Sequence, residues 1–208
     1  MSANERKKNV FNAKYIAKVG VFAALAYVLY LVPKFPLPVF FPSWLEFNFS
    51  DIPALIGTFA LGPLGGTLIV LVKILLKLPF SQTGCSGEFS DLLCGLAPVI
   101  PAGLIYKRHR SFRGALVAMA IGTLCTTAVS VFGNRFIAVP WFVNAYFGGD
   151  FSGIVKMLSP LFPNVTEESF YRYYLFLSVV PFNLLRCLVG CIVTALTYKH
   201  ISRLLAKF

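Results

Sequence analysis

Long apolar runs fill most of this chain, and short clusters of proline, glycine or basic residues divide them. The first run extends from about Ile16 to Val32 with only Lys18 interrupting it, and it ends at Pro33. A helix that crosses a bilayer needs about 20 apolar residues. A basic head followed by an apolar run also resembles a signal peptide. The length of this run instead predicts a retained first membrane helix over about 14–33. The next stretch, "KFPLPVFFPSWLEFNFSD" (34–51), is too broken by proline for a helix and too apolar for a free loop. Asp51 reads as the N-cap of a second helix, with Pro53 in its first turn. That helix runs to about Leu61, where "LGPLGG" (61–66) marks a tight turn into a third helix over about 64–78. Both are short for a full span. "PFSQTGCSGE" (79–88) is a loop, and a fourth helix follows over 88–106. "KRHRSFRG" (107–114) is a basic turn, and a fifth helix covers 114–140. Residues 141–169 form a long connection with short interfacial helical pieces. A last helix starts near or before Pro181 and ends about 204. The pattern predicts an all-α integral membrane protein: a six-transmembrane-helix bundle over 14–208, preceded by a basic tail over 1–13.

Composition agrees. The 208 residues are 57% hydrophobic and only 13% charged, where a soluble domain carries about 25%. Net charge is +11, which could suggest nucleic acid. The basic residues, however, lie in short blocks between apolar runs, as membrane topology requires and nucleic-acid binding does not. Six crossings place both termini on one side, together with Arg6, Lys7, Lys8, Lys14, Lys18, Lys107, Arg108, Arg110, Arg113, Lys199, Arg203 and Lys207. The positive-inside rule makes that side cytoplasmic, with anionic lipid headgroups as neighbours. The expected location is a bacterial cell membrane, with the loops 34–50, 79–88 and 141–169 outside. The five cysteines form no CxxC pair and no His joins them, so neither a metal nor a required disulfide is expected.

Against this apolar background "PFNLLRC" (181–187) is anomalous. It places Asn183 and Arg186 on one helical face. A charge at membrane depth costs on the order of 2.5–3.5 kcal/mol and must face a partner or a wet cavity. Other polar groups gather at the same level: Glu88 and Asp91 opening helix four, Asn134 and Arg135 near the outer end of helix five, Gln82 and Thr83 in the adjacent loop, and Glu46 and Asp51 at the end of the aromatic loop. Singly, each has a structural explanation; Arg186 could pair with Glu88, and Asn183 could cap a kinked helix start. Jointly they suggest a pocket beneath a loop that carries Phe35, Phe40, Phe41, Trp44 and Phe47. An aromatic lid with amides suits a flat heterocycle, because an Asn offers one donor and one acceptor to a uracil-like ring edge. A rival class is a small membrane transferase with Glu88 and Asp91 as its carboxylate pair. His109 and His200 sit in basic segments and read as solvated. No catalytic residue is therefore assigned.

"WLEFNFSDIPALIGTFALGPLGG" (44–66), "GEFSDLLCG", "FGNRFIAVP" and "PFNLLRC" resemble the substrate-binding S components of energy-coupling factor vitamin transporters, most closely their riboflavin-specific branch. The likeness spans 14–204. It implies a six-helix bundle with an outward-facing vitamin pocket capped by the first loop. By motif it carries over Asn134, Asn183, Arg186 and Glu88 as pocket residues. With Trp44, Phe47 and Phe41 from the lid and Thr83 from the loop, these make up the candidate ligand site. Arg186 stands where that branch usually has lysine, and Arg135 where it usually has an aromatic residue; another vitamin such as pantothenate is the alternative ligand. Riboflavin would be the transported ligand rather than a cofactor. The chain lacks a G-x-x-x-x-G-K-[ST] phosphate loop, and the resemblance implies a separate module of a transmembrane coupling subunit and two ATPase subunits. Small residues recur on helix one at Ala13, Ala17, Gly20 and Ala24, a pattern that lets membrane helices approach closely. The resemblance makes Ala17, Gly20 and Ala24 the docking face for the coupling subunit.

Overall fold

The structure is a computed structural model that describes residues 12–32, 35–81 and 83–205. Arg6, Lys7, Lys8, Pro33, Gln82 and Lys207 lie outside the described residues, as do the side chains of Phe35, Lys199, His200 and Arg203. Helix α1 (Ala13–Leu31) opens at Asn12, whose side chain accepts from the Tyr15 N–H at 2.8 Å. Such a cap satisfies one of the orphan donors of the first turn. The proline-rich stretch that follows folds back on itself, with strand β1 (Phe35–Pro36) pairing antiparallel to β2 (Glu46–Phe47).

Helix α2 (Asp51–Lys77) is not one rod. Gly62 has φ 82° and ψ 179°, outside the helical region and open chiefly to glycine. A straight helix would hold Asp51 and Lys73 about 33 Å apart, yet the Lys73 ammonium lies 2.7 Å from the Asp51 carboxylate. The arms 51–61 and 63–77 are therefore antiparallel, as "LGPLGG" predicts. Asp51 is the first helical residue rather than the N-cap. Ser50 precedes it and makes no side-chain cap; its hydroxyl is engaged with Lys73 and Asn48, and the Asp51 carboxylate is engaged in ion pairs.

Helix α3 (Ser86–Arg108) and helix α4 (Phe112–Gly133) are joined by the basic turn, with Ser111 capping α4 by accepting from the Gly114 N–H at 3.0 Å. Helix α4 runs through a π-helical turn (Asn134–Ala138) into α5 (Val139–Phe147), further than the expected end at 140. The connection then holds one short helix, α6 (Ser152–Leu158). A second π-helical stretch (Arg172–Val179) leads into α7 (Val180–Leu205), so the last rod begins well before Pro181. Each π segment lies just ahead of a proline, Pro140 or Pro181, and contains the residue four positions before it. Proline has no N–H and crowds that carbonyl, and widening to π spacing accommodates both constraints.

Among the described residues, five helical stretches are long and apolar enough to cross a membrane. Because the second is the hairpin α2, the bundle contains the six expected rods. Large apolar side chains such as Val21, Leu25, Val28, Leu124, Phe132 and Leu188 are exposed on its outside, the pattern of a surface solvated by lipid. Lys14 and Lys18 at the start of α1 and the basic α3–α4 turn occupy one end. The ends of α1 and α4 and the starts of α2, α3 and α7 converge at the other. On α1, Val19, Ala23, Ala26 and Tyr30 face the core. Ala17, Gly20 and Ala24 are exposed, and a side chain built on Gly20 would meet no atom within 4 Å.

Close packing at the hairpin rests on glycine. A Cβ on Gly103 would lie 2.6 Å from Pro63 Cα and 2.9 Å from Pro63 N, backbone atoms that have little room to yield. A Cβ on Gly190 would meet nothing nearer than 4.0 Å. Gly103→Ala should therefore destabilise the protein by about 1–3 kcal/mol, whereas Gly190→Ala should leave it unchanged or slightly more stable. Thermal unfolding of the two variants in the same detergent checks the contrast.

Candidate functional site

The convergent end of the bundle encloses a cavity of about 170 Å³. Its cap is the loop between α1 and α2, which contributes Trp44, Leu45, Glu46 and Asn48. Of the residues singled out from sequence, Trp44, Thr83, Glu88, Asn134, Asn183 and Arg186 line it together. Phe41 and Phe47 do not. Both are buried against Phe182, with ring centroids 5.3 and 5.5 Å away in edge-to-face geometry. They act behind the wall, since Phe182 itself lines the cavity. Arg135 is also outside it, its guanidinium 3.7 Å from the centroid of the Tyr171 ring.

The lid is tied to the amide site by a relay. Trp44 Nε1 donates to the Tyr174 hydroxyl at 3.2 Å, and that hydroxyl donates to Asn134 Oδ1 at 2.8 Å. Asn134 Nδ2 in turn donates to the Ser130 carbonyl at 2.8 Å. Asn134 thus uses one lone pair of its carbonyl and one N–H within the protein, leaving a second lone pair and a second N–H for a ligand. Asn183 Nδ2 donates to the Val179 carbonyl at 2.9 Å, which orients the side chain and leaves its oxygen and second N–H available. Asn134 opens the first π-helical turn, and Asn183 lies one turn beyond the second and bonds its last carbonyl.

Glu88 does not pair with Arg186. Its Oε2 accepts from the Ser81 and Thr83 hydroxyls at 2.7 and 2.9 Å, and its place in the first turn of α3 suits the positive end of the helix dipole. Arg186 instead spans two aspartates. Nη1 donates to Asp91 Oδ1 at 3.0 Å, and Nη2 lies 2.8 Å from Asp51 Oδ2. Lys73, fully buried, donates to Asp51 and to the Ser50 hydroxyl, each at 2.7 Å. Ser50 donates on to Asn48 Oδ1 at 2.8 Å, and Tyr30 donates to Asp91 at 2.5 Å. Two cations and two anions thus form a neutral cluster under the cavity.

Sequence reasoning missed Tyr30, Asn48, Lys77, Phe142, Tyr174 and Phe182, all of which line the cavity. For the lysines a signal existed: "VKILLK" carries two cations four residues apart in an otherwise apolar run, and intramembrane cations ordinarily have a function or a partner.

The lining divides by origin. From residues 77–94 come Lys77, Thr83, Ser86, Gly87, Glu88, Ser90, Asp91 and Cys94, a wall with no aliphatic or aromatic side chain. The lid, the 134–154 segment, Tyr30, Tyr174 and Phe182 supply the aliphatic and aromatic side chains of the lining.

Residues 14–198 match the family described as ECF transporter, substrate-specific component. The chain belongs to that family. Among its relatives is the riboflavin transporter RibU of Staphylococcus aureus, 30% identical over 97% of each chain. The riboflavin transporter FmnP of Bacillus subtilis is 25% identical over 89% of this chain and 90% of its own length. A solved structure described as the S component of a bacterial ECF transporter superposes with a TM-score of 0.69 at 30% identity, covering 92% of this chain and 97% of that one. The protein is thus an S component, a multi-pass membrane transporter subunit and not an enzyme. The carboxylate pair Glu88 and Asp91 accordingly serves hydroxyl and cation partners.

The ion cluster makes a distinct stability prediction for this S component. Arg186→Leu leaves Asp91 and Asp51 short of a cation inside the bundle, which should cost about 3–5 kcal/mol. Arg186→Lys can reach one aspartate but not fork to both, and should fall between Leu and wild type. Unfolding temperature of the ligand-free proteins in detergent checks the order.

Proposed function

We propose that this S component binds riboflavin, one molecule per chain, and presents it for import. The observation that carries the proposal is the two-sided cavity. The lid, the 134–154 segment and the start of the last rod bring aromatic and apolar side chains with the amides Asn48, Asn134 and Asn183; residues 77–94 bring hydroxyls, two carboxylates and an ammonium. Riboflavin has the matching halves, a flat heterocycle with an imide-like edge and a polyhydroxylated chain. The names of its relatives support the same ligand. The basic ends of α1 and of the α3–α4 turn belong on the cytoplasmic side by the positive-inside rule, which puts both termini there and opens the cavity to the outside. Isothermal titration should give one riboflavin site and no heat with pantothenate; heat with pantothenate alone would overturn the flavin assignment. Asn183→Ala should weaken binding roughly 5- to 150-fold, the cost of about 1–3 kcal/mol for a buried ligand group left without its partner. Normal binding by that variant would make Asn183 a backbone cap only.

Energy for import comes, on this reading, from a transmembrane coupling subunit and two ATPase subunits. Ala17, Gly20 and Ala24 form an exposed small-residue face on α1 that supports docking to the coupling subunit. None of the three lines the cavity, whereas Tyr30 on the inward side of α1 does. Gly20→Trp or Ala24→Trp should therefore leave riboflavin titration in detergent nearly unchanged and abolish ATP-dependent uptake in vesicles reconstituted with the coupling module. Loss of binding, or survival of uptake, would place the docking face elsewhere.

A further inference from the structure

Lys77 is an unusual charge for its surroundings. It sits at the end of α2, is only 7% exposed, and lines the polar wall of the cavity. An ammonium carries three donors. Among the described residues Lys77 has one acceptor, the Phe80 carbonyl at 3.0 Å, and no carboxylate within ion-pair distance. Its neighbour one turn earlier, Lys73, is matched by Asp51 and Ser50. Glu88, which lines the same cavity, is held by the Ser81 and Thr83 hydroxyls. Burying a cation without an anion or a full set of acceptors is costly. Capping one carbonyl does not require a charge, since any amide would serve.

We infer that Lys77 is a specificity-determining residue that donates to the oxygen-rich chain of the ligand. The inference rests on the flavin reading above. Its position carries it: Lys77 belongs to the segment 77–94, which brings hydroxyls and the carboxylates of Glu88 and Asp91 to the cavity but no aromatic or aliphatic side chain. The aromatic portion of a ligand gains most by packing against Trp44, Phe142, Tyr174 and Phe182, so the hydroxylated portion is left to face Lys77, Thr83, Ser86 and Glu88. Lysine and glutamate on one wall supply a charged donor and a charged acceptor. A polyol can satisfy both at once, because each hydroxyl donates and accepts.

The test compares riboflavin with lumiflavin, which keeps the ring system and replaces the hydroxylated chain by a methyl group. Lys77→Met should raise the dissociation constant for riboflavin roughly 10- to 100-fold, the loss of hydrogen bonds from a charged donor, and change that for lumiflavin less than about twofold. Lys77→Gln keeps a neutral donor and should lie between wild type and Met for riboflavin. The unfolding temperature of ligand-free Lys77→Met should equal or exceed wild type, because an unpaired buried charge has been removed. An equal loss for both flavins, or a lower unfolding temperature with unchanged riboflavin binding, would make Lys77 a structural cap and overturn the inference. If the wild-type protein binds neither flavin, the flavin reading itself fails.

Discussion

The structure depends on one requirement, that charges held inside a membrane bundle be neutralised locally. Asp51, Lys73, Asp91 and Arg186 meet it as a closed set, Lys73 to Asp51 at 2.7 Å and Arg186 to the two aspartates at 2.8 and 3.0 Å. The four residues come from both arms of α2, from α3 and from α7, and Tyr30 adds α1 through its bond to Asp91. Arg186 links the two ion pairs into one set through its second contact, to Asp51. Asp51 needs Lys73 to be brought beside it, which requires the reversal at Gly62, and Arg186 can span two aspartates only because its guanidinium is forked. Buried ion pairs are weak sources of net stability. Their stronger effect here is on geometry, since any shift of one helix along its neighbours would separate the charges.

The lid inherits that geometry. Lys73 reaches Ser50, and Ser50 reaches Asn48, so the descending end of the loop is fastened to the ion cluster. From the opposite side, Trp44 is held by Tyr174, and Tyr174 by Asn134. Phe41 and Phe47 clamp the loop onto Phe182 between these two moorings. A loop of prolines and aromatics with only a two-residue ladder has little internal order of its own. Its position is set by these contacts with the bundle, and the cavity wall is complete only when they are made.

Much of this was legible in the sequence. Apolar run lengths give the rods, Gly62 within "LGPLGG" gives the hairpin, and polar residues stranded in apolar runs give Glu88, Asn134, Asn183 and Arg186. What was not legible was pairing. A sequence places Arg186 near several acids at one level but cannot rank Glu88 against Asp51 and Asp91, because helix rotation and the bend of α2 decide which carboxylate arrives. The aromatic loop shows the same limit. Trp44, Phe41 and Phe47 look equivalent as lid residues, yet Trp44 bonds Tyr174 on the cavity while the two phenylalanines pack against Phe182 behind it. The π-helical turns were hidden as well, although Pro140 and Pro181 mark where they occur.

On the proposed reading, helix α1 lets binding and docking share one element without conflict. Helical periodicity places Val19, Ala23, Ala26 and Tyr30 on the buried stripe and Ala17, Gly20 and Ala24 away from it. Small residues on the outer stripe contribute little to the bundle, so their selection is free to follow an external surface. The inner stripe ends in Tyr30, which both lines the cavity and bonds Asp91. Phe49 N also donates to the Leu29 carbonyl at 3.3 Å, joining the lid to the same turn of the helix. The final turn of α1 therefore touches the lid, the cavity and the ion cluster. A movement of α1 imposed at its outer face would reach all three through a rigid rod, without needing a separate relay.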